Sequence, residues 1–369
     1  MNMKKTWATC LLVSLFVSPF TFSQLEEDLT PEEQAYRDSI AALNEENAAI
    51  AASQEAYNAG IKLFNEKKFD QAIGKFAASI QSDPNFTAAY YNKGVSENEV
   101  NKYSDAVKTL TTLIEKDPDY SKAYFQRARA FQGSGDYLSA ELDYQKSIEL
   151  EPENPKAHYN FGTLQFLQEN YDDAIKSFTK TIELKGNVVY AYNDRGSCHR
   201  MKGDYAAAIK DYDEAVKRNP NLPFALNNLG TTKKRMKNYQ GAIADFNRAI
   251  SVDPKFHLAY NNRGATLMEQ GKLNEALKDF EKCTQIAPDY APAWSNMAGI
   301  KFKMEDYEGA RAAADKAVKL DPNYGSAYVN RGMAREMLRD MQGACEDWSK
   351  AQELGTALGK TYYAQNCGF

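Results

Sequence analysis

The chain repeats itself every 34 residues. A ruler of that length laid from Ser53 gives nine consecutive units ending at Leu358, with no insertion or deletion. A fixed period of this size belongs to a stack of supersecondary units, each burying its apolar face only against its neighbours. Position 8 of the unit reads Gly60, Gly94, Ala128, Gly162, Gly196, Gly230, Gly264, Ala298 and Gly332. Position 20 is alanine every time, from Ala72 to Ala344, and position 32 is proline except at Gly186 and Thr356. Small residues at two such positions let a pair of antiparallel helices approach closely. A larger side chain would overpack the contact by about 1–3 kcal/mol. Aromatics recur beside them, at position 17 (Phe69, Tyr171, Tyr205 and others) and at position 24 (Phe76, Tyr144, Phe178, Tyr212, Phe246, Phe280, Trp348). The proline ends the second helix, since it has no N–H to donate and clashes with the preceding turn.

This pattern resembles the tetratricopeptide repeat across residues 53–358. The resemblance implies an all-α fold, a right-handed superhelix of helix pairs whose concave groove is lined by the first helix of each pair. Repeats of that family usually bind other proteins. The repeat names an architecture and a function class; the partner is not written in it.

The groove face carries two candidate features. Position 5 is aromatic in the first four repeats (Tyr57, Tyr91, Phe125, Tyr159) and then reads Asn193, Asn227, Asn261, Ser295 and Val329. Either the groove changes from aromatic to polar along its length, or the aromatics pack sideways onto their neighbours. Position 6 is asparagine in seven repeats, Asn58, Asn92, Asn160, Asn228, Asn262, Asn296 and Asn330, with Gln126 and Asp194 as the departures. This row is similar to the asparagine ladder inside the repeat superhelix of O-GlcNAc transferases, where the amides grip the backbone of an extended peptide. An amide offers both a donor and an acceptor, so a row of them can pair with peptide groups whatever the side chains. The plainer reading is that these asparagines bond helix to helix. Nothing in the chain resembles the catalytic domain of those enzymes. The two-carboxylate clamp of co-chaperones, with lysine at position 5 and asparagine at position 9, is absent: no position 5 is lysine and no position 9 is asparagine.

A slower rhythm lies over the first. Arg127, Arg195, Arg263 and Arg331 recur every 68 residues at position 7, and the same repeats carry Asp143, Asp211, Asp279 and Asp347 at position 23. Their co-occurrence points to a structural salt bridge across each hairpin. Asp245 breaks the rule, having no arginine in its own repeat. A basic cluster, His199, Arg200 and Lys202 with Lys233, Lys234, Arg235 and Lys237, sits at the ends of first helices, where cations are favoured by the helix dipole. It could also meet an acidic partner.

The net charge of −5 is unevenly placed. Residues 24–52 hold eight acids against one arginine, whereas the rest of the chain beyond a short leader is balanced. A neutral array with an acidic arm makes a poor nucleic-acid binder, because neutralising phosphates needs a basic excess. Residues 1–23 read as a secretory signal peptide: Lys4 and Lys5, an apolar run from Trp7 to Phe20, and small residues before Gln24. Cleavage there would leave no membrane span and place the protein in the periplasm or outside the cell. The 24–52 segment opens with Thr30, Pro31 and Glu33, a helix start with a capping box. Its stripe of Tyr36, Ile40, Leu43 and Ile50 suggests a cap over the first repeat, with a dimerising or partner-docking helix as the alternative. At the other end, residues 359–369 form a C-terminal cap. An oxidising compartment would allow a disulfide between Cys345 and Cys367, whereas Cys198 and Cys283 occupy small repeat positions as inert thiols.

Catalysis finds no foothold. The three histidines fall at unrelated repeat positions, and no phosphate loop, HExxH or GxSxG occurs. No metal or cofactor is expected. The sequence reads as a non-enzymatic scaffold binding a protein or peptide segment in its groove. The rival is a structural subunit of a cell-envelope assembly, using its convex face or its ends, and a glycan-binding module is the third class.

Overall fold

The computed structural model describes residues 30–185 and 189–367. The expected signal peptide lies outside them, as does Gly186. The described residues hold nineteen α-helices and no strand. They form two compact units that divide between Asp105 and Ala106.

In the first unit, α1 (Pro31–Asn65), α2 (Phe69–Ser82) and α3 (Thr87–Glu99) precede the start of α4 (Tyr103–Lys116). The second unit continues as hairpins. These pair α5 (Ser121–Ser134) with α6 (Tyr137–Leu150), α7 (Pro155–Leu167) with α8 (Tyr171–Lys185), and α9 (Val189–Met201) with α10 (Tyr205–Arg218). Next come α11 (Pro223–Arg235) with α12 (Tyr239–Val252), α13 (His257–Glu269) with α14 (Leu273–Ile286), and α15 (Ala291–Lys303) with α16 (Tyr307–Leu320). Last are α17 (Gly325–Met337), α18 (Met341–Glu353) and α19 (Ala357–Asn366).

Local chemistry sets these boundaries. Within each hairpin the chain turns at position 15, which has positive φ throughout: Gly135, Gly203 and Gly271 near 80°, and six non-glycine residues such as Glu169 and Lys237 at 62°. One left-handed residue closes a first helix, and the N–H after it reaches back five residues, as from Asp204 to the His199 carbonyl at 2.9 Å. The same Asp204 then caps the second helix by accepting from the Ala207 N–H; Asp136, Asn238, Asp306 and Asp340 do likewise in their repeats. Second helices end just before the position-32 proline. There an Asx turn, as at Asp83, Asp117, Asn219, Asp253 and Asp321, accepts the N–H two residues on.

In seven repeats the core of the hairpin is a fully buried position-24 aromatic beside its own position-8 glycine or alanine, and in repeat two it is the buried Leu110. A Cβ placed on Gly60 would stand 2.6 Å from the Phe76 ring, and one on Gly230 2.7 Å from Phe246. The repeat without any large side chain at position 24 is instructive. Repeat eight has Ala314 at position 24, Ala298 at position 8, and Met297 and Ile300 buried in the same cluster, so neighbours fill what the absent ring leaves.

The N-terminal end departs from the sequence reading, whereas the C-terminal cap and its disulfide follow it. The acidic segment expected as a cap is, from Pro31, the beginning of the same helix that serves as the first helix of repeat one. Its capping box is present, yet Tyr36, Ile40, Leu43 and Ile50 stay exposed, at 70, 41, 51 and 50%. The stripe therefore lies beyond the stretch of α1 that α2 covers, which begins at Ser53, bonded to Ser79. At the C-terminus α19 starts at Ala357, two residues before the expected cap, and packs on α18. Tyr362 stacks on Trp348 at 5.3 Å, and Cys367 is joined to Cys345 with their Cα atoms 5.7 Å apart. No helix among the described residues is long and apolar enough to cross a membrane.

Candidate functional site

The position-6 amides lie on the first helices, and most of them bond to the repeat before. The Asn92 Nδ2 donates to the Tyr57 hydroxyl at 2.9 Å. In the second unit Asn228 donates to the Asn193 Oδ1, Asn262 to Asn227 and Asn296 to Asn261, at 3.1, 2.9 and 2.9 Å. Asn330 donates to both the carbonyl and the hydroxyl of Ser295. Each of these bonds spans 35 residues, from position 6 of one repeat to position 5 of the one before. The change at position 5 is thus a change of acceptor, from a tyrosine hydroxyl to a buried amide or serine. Asn160 instead bonds the Lys156 carbonyl of its own helix, and Asn58 is exposed and accepts from Gln54.

Asp194 sits where one acceptor type gives way to the other. As a carboxylate it cannot donate, so the polarity inverts: the Tyr159 hydroxyl donates to it at 2.6 Å and Asn193 Nδ2 at 2.9 Å. Burial pushes the Asp194 carboxyl above its usual range despite these two donors. Between the ordinary carboxylate pKa and this raised one, the folded chain holds a proton that the unfolded chain has released. Stability therefore falls as pH rises through that window. Asp194→Asn is expected to remove this dependence and to raise the urea midpoint at neutral pH, with little gain near about pH 2.5, well below the ordinary Asp pKa of about 3.9, where the wild-type group is protonated in both states. Equal midpoint shifts at both pH values would contradict it.

The position-5 aromatics pack inward. Tyr57 lies 5.7 Å from Phe76, Phe125 6.0 Å from Tyr144 and Tyr159 5.7 Å from Phe178, each against its own position-24 ring; Tyr91 is half-buried. What position 6 leaves open is its oxygen. The amide oxygens of Asn228, Asn262, Asn296 and Asn330 accept no hydrogen bond, and none of them is buried. With the nitrogen held by the preceding repeat, each presents a fixed acceptor. Clefts open beside position-6 residues. One of about 460 Å³ is lined by Asn262 with Thr231, Lys234, Arg235, Lys237, Tyr239 and Glu269. One of about 340 Å³ holds Asn160, Tyr159 and Tyr190. One of about 260 Å³ holds Asp194 among Phe166, Leu167 and Phe178.

The basic cluster is mostly occupied internally. Lys233 pairs with Asp245 at 2.6 Å, Lys234 with Glu269 at 2.9 Å and Lys202 with Asp172. The Lys233 contact accounts for Asp245, whose partner comes from position 11 rather than position 7. All four arginine–aspartate pairs are bidentate: Arg127–Asp143, Arg195–Asp211, Arg263–Asp279 and Arg331–Asp347, at 2.6–3.0 Å. Each guanidinium also reaches position 25 of the preceding repeat, namely Thr111, Thr179, Asn247 or Asp315. Each lies over a position-4 tyrosine as well: Tyr124, Tyr192, Tyr260 or Tyr328. These two partners were missed in the sequence, although both recur with the same 68-residue rhythm. Cys198 and Cys283 are free and buried, and burial pushes both thiols up to about 12, far from a reactive thiolate. Among the described residues no three His, Cys, Asp or Glu side chains are placed to hold a metal ion.

Comparison with known proteins fits this geometry. Tetratricopeptide-repeat family models match residues 99–155 and 125–188, 189–222 and 223–256, 246–278, and 267–335. No curated protein matches the chain in sequence. Among solved structures, a tetratricopeptide repeat protein from Parabacteroides merdae superposes with a TM-score of 0.57 at 22% identity, over 66% of this chain and 97% of that one. A chain of the APC/C hetero-tetramer Cut9–Hcn1 gives 0.54 at 17% identity, over 82% of this chain and 58% of its own. Pseudomonas aeruginosa pilF gives 0.50 at 18%, over 57% and 97%. At these identities the structures speak for the fold, and the sequence matches, continuous from 99 to 335, speak for the family. The chain is a member of the tetratricopeptide repeat family.

Proposed function

We propose that this protein is a non-enzymatic scaffold that binds an extended polypeptide along the first-helix face of its repeats. The observation that carries this reading is the row of position-6 amides, with nitrogens fixed by the preceding repeat and oxygens left open. A fixed acceptor loses little freedom on meeting a peptide N–H, so more of the bond survives as affinity. The clefts beside Asn160, Asp194 and Asn262 would take side chains of the bound segment. Export to the periplasm or beyond, after removal of residues 1–23, belongs to the same proposal. A disulfide between Cys345 and Cys367 suits such a compartment.

The test is a crosslinked pull-down from envelope extract, comparing wild type with Asn228→Ala/Asn262→Ala/Asn296→Ala. Each peptide hydrogen bond is worth about 0.5–1.5 kcal/mol net, so losing three should weaken binding at least about tenfold. A thermal melt of the triple variant is needed alongside, since the same amides join neighbouring repeats. A partner lost by a folded variant supports the groove reading. A partner held equally by both moves binding to another face, and the envelope-assembly subunit becomes the better account.

A further inference from the structure

We propose that the N-terminal arm of α1 pairs two copies of this chain as a parallel, two-stranded coiled coil. This is independent of the peptide-binding reading. From Pro31 to Ala52 the helix is roughly 30 Å long, and its side chains are exposed apart from the half-buried Ala49. A helix in water owes most of its stability to packing of an apolar face. Here that face is exposed, so something must cover it.

The spacing of the stripe says what. Tyr36, Ile40, Leu43, Asn47 and Ile50 follow one another at intervals of four, three, four and three, a heptad seam in which Ile40 and Asn47 take a positions and Tyr36, Leu43 and Ile50 take d positions. Ile40 at a followed by Leu43 at d favours two parallel strands; Ile50 at d does not, so the strand number rests on that pair and on Asn47. A single asparagine at a fixes register and pair formation at some cost in stability. The acidic character of the arm does not oppose this. Asp38 and Glu45 fall at f, on the side away from the seam, and Glu46 falls at g opposite an alanine e position, Ala51. Glu33, at the a position ahead of Tyr36, is turned back onto Thr30 in the capping box, so the seam begins at Tyr36. Glu32 falls at g and Arg37 at the next e, five residues on, which is the pairing that joins the strands of a parallel coil. Among the described residues neither makes an ion pair within its own chain. In the dimer, Glu32 of each copy would meet Arg37 of the other. The seam ends at Ile50, where α2 takes over the packing of α1 at Ser53.

The test uses the chain from Gln24 onward, which keeps every described residue. Sedimentation velocity across the micromolar range should show a monomer–dimer equilibrium. Leu43→Asp should weaken it about a hundredfold or more, because a carboxylate would enter the seam. Leu43 is exposed on the stretch of α1 ahead of Ser53, where α2 begins to cover it, so the thermal melt of the repeats should not move. Arg37→Glu should weaken association, and Glu32→Lys added to it should restore it. Asn47→Cys should oxidise to a covalent dimer, because the a residues of parallel strands in register face each other. A monomer throughout, or a dimer indifferent to Leu43→Asp, would overturn the proposal. A dimer that Asn47→Cys does not crosslink would also overturn it, as expected for an antiparallel pair or a head-to-tail contact.

Discussion

Arg195→Ala is expected to cost the chain about 3–5 kcal/mol, the usual price of removing one partner from a buried ion pair. Asp211 is buried and receives both Nε and Nη2 of Arg195, at 2.8 and 2.7 Å. The hydrogen bond to Asp211 holds the guanidinium above its ordinary pKa. With the arginine gone, a buried carboxylate is left with His199, 3.9 Å away, as its remaining ion-pair partner among the described residues. Thr179 of the preceding repeat also loses its donor. The damage therefore crosses a repeat boundary, and in a solenoid the boundary terms hold the array together. Arg195→Met/Asp211→Leu separates two meanings of this cost. If the pair mainly avoids an unpaired charge, the double variant should return close to wild type, because well-packed apolar replacements of buried pairs are often neutral or better. Urea unfolding of the three variants reads this directly. A single variant unfolding at the wild-type midpoint would mean that water, not arginine, satisfies Asp211.

How much of this could be read beforehand depended on the range of each signal. The hairpins were legible because their marks lie within one period: glycine at 8, alanine at 20, proline at 32. The arginine–aspartate pairs, sixteen residues apart, were legible because both members recur together. Asp245 looked like an exception only because its partner, Lys233, arrives from a different position on the first helix. The amide row was visible, but its partners were not. Asn262 and Asn227 are 35 residues apart, and nothing in either residue says that one repeat hands its amide to the next. The inversion at Asp194 held the clue: an acid at position 6 follows a tyrosine at position 5 of the repeat before, so a donor meets an acceptor. The fate of the N-terminal stripe was beyond reach, since periodicity reveals an apolar face and not what covers it.

Phe246→Ala should be among the most damaging core changes, at about 3–5 kcal/mol. The ring is fully buried, and it occupies the space that the absent Cβ of Gly230 leaves free. Gly230→Ala alone sets two effects against each other. Alanine is a better helix former than glycine by about 1 kcal/mol. Its Cβ would stand 2.7 Å from Cε1 of Phe246, inside any tolerable contact, and overpacking of this kind costs about 1–3 kcal/mol. The ring has no room to retreat, being fully buried, so the net sign is destabilising. Combined, the two changes should cost less than their sum, because the new methyl enters the cavity left by the ring. Repeat eight already uses this pairing, with Ala298 facing Ala314. Recovery should nevertheless be partial, because repeat six has Leu229 and Thr232 where repeat eight places Met297 and Ile300. A methyl fills only part of a phenyl-sized hole, and the cost of a cavity grows with the volume left empty. A double-mutant cycle by urea unfolding gives the coupling. Strictly additive losses would show that positions 8 and 24 of this repeat do not share one space.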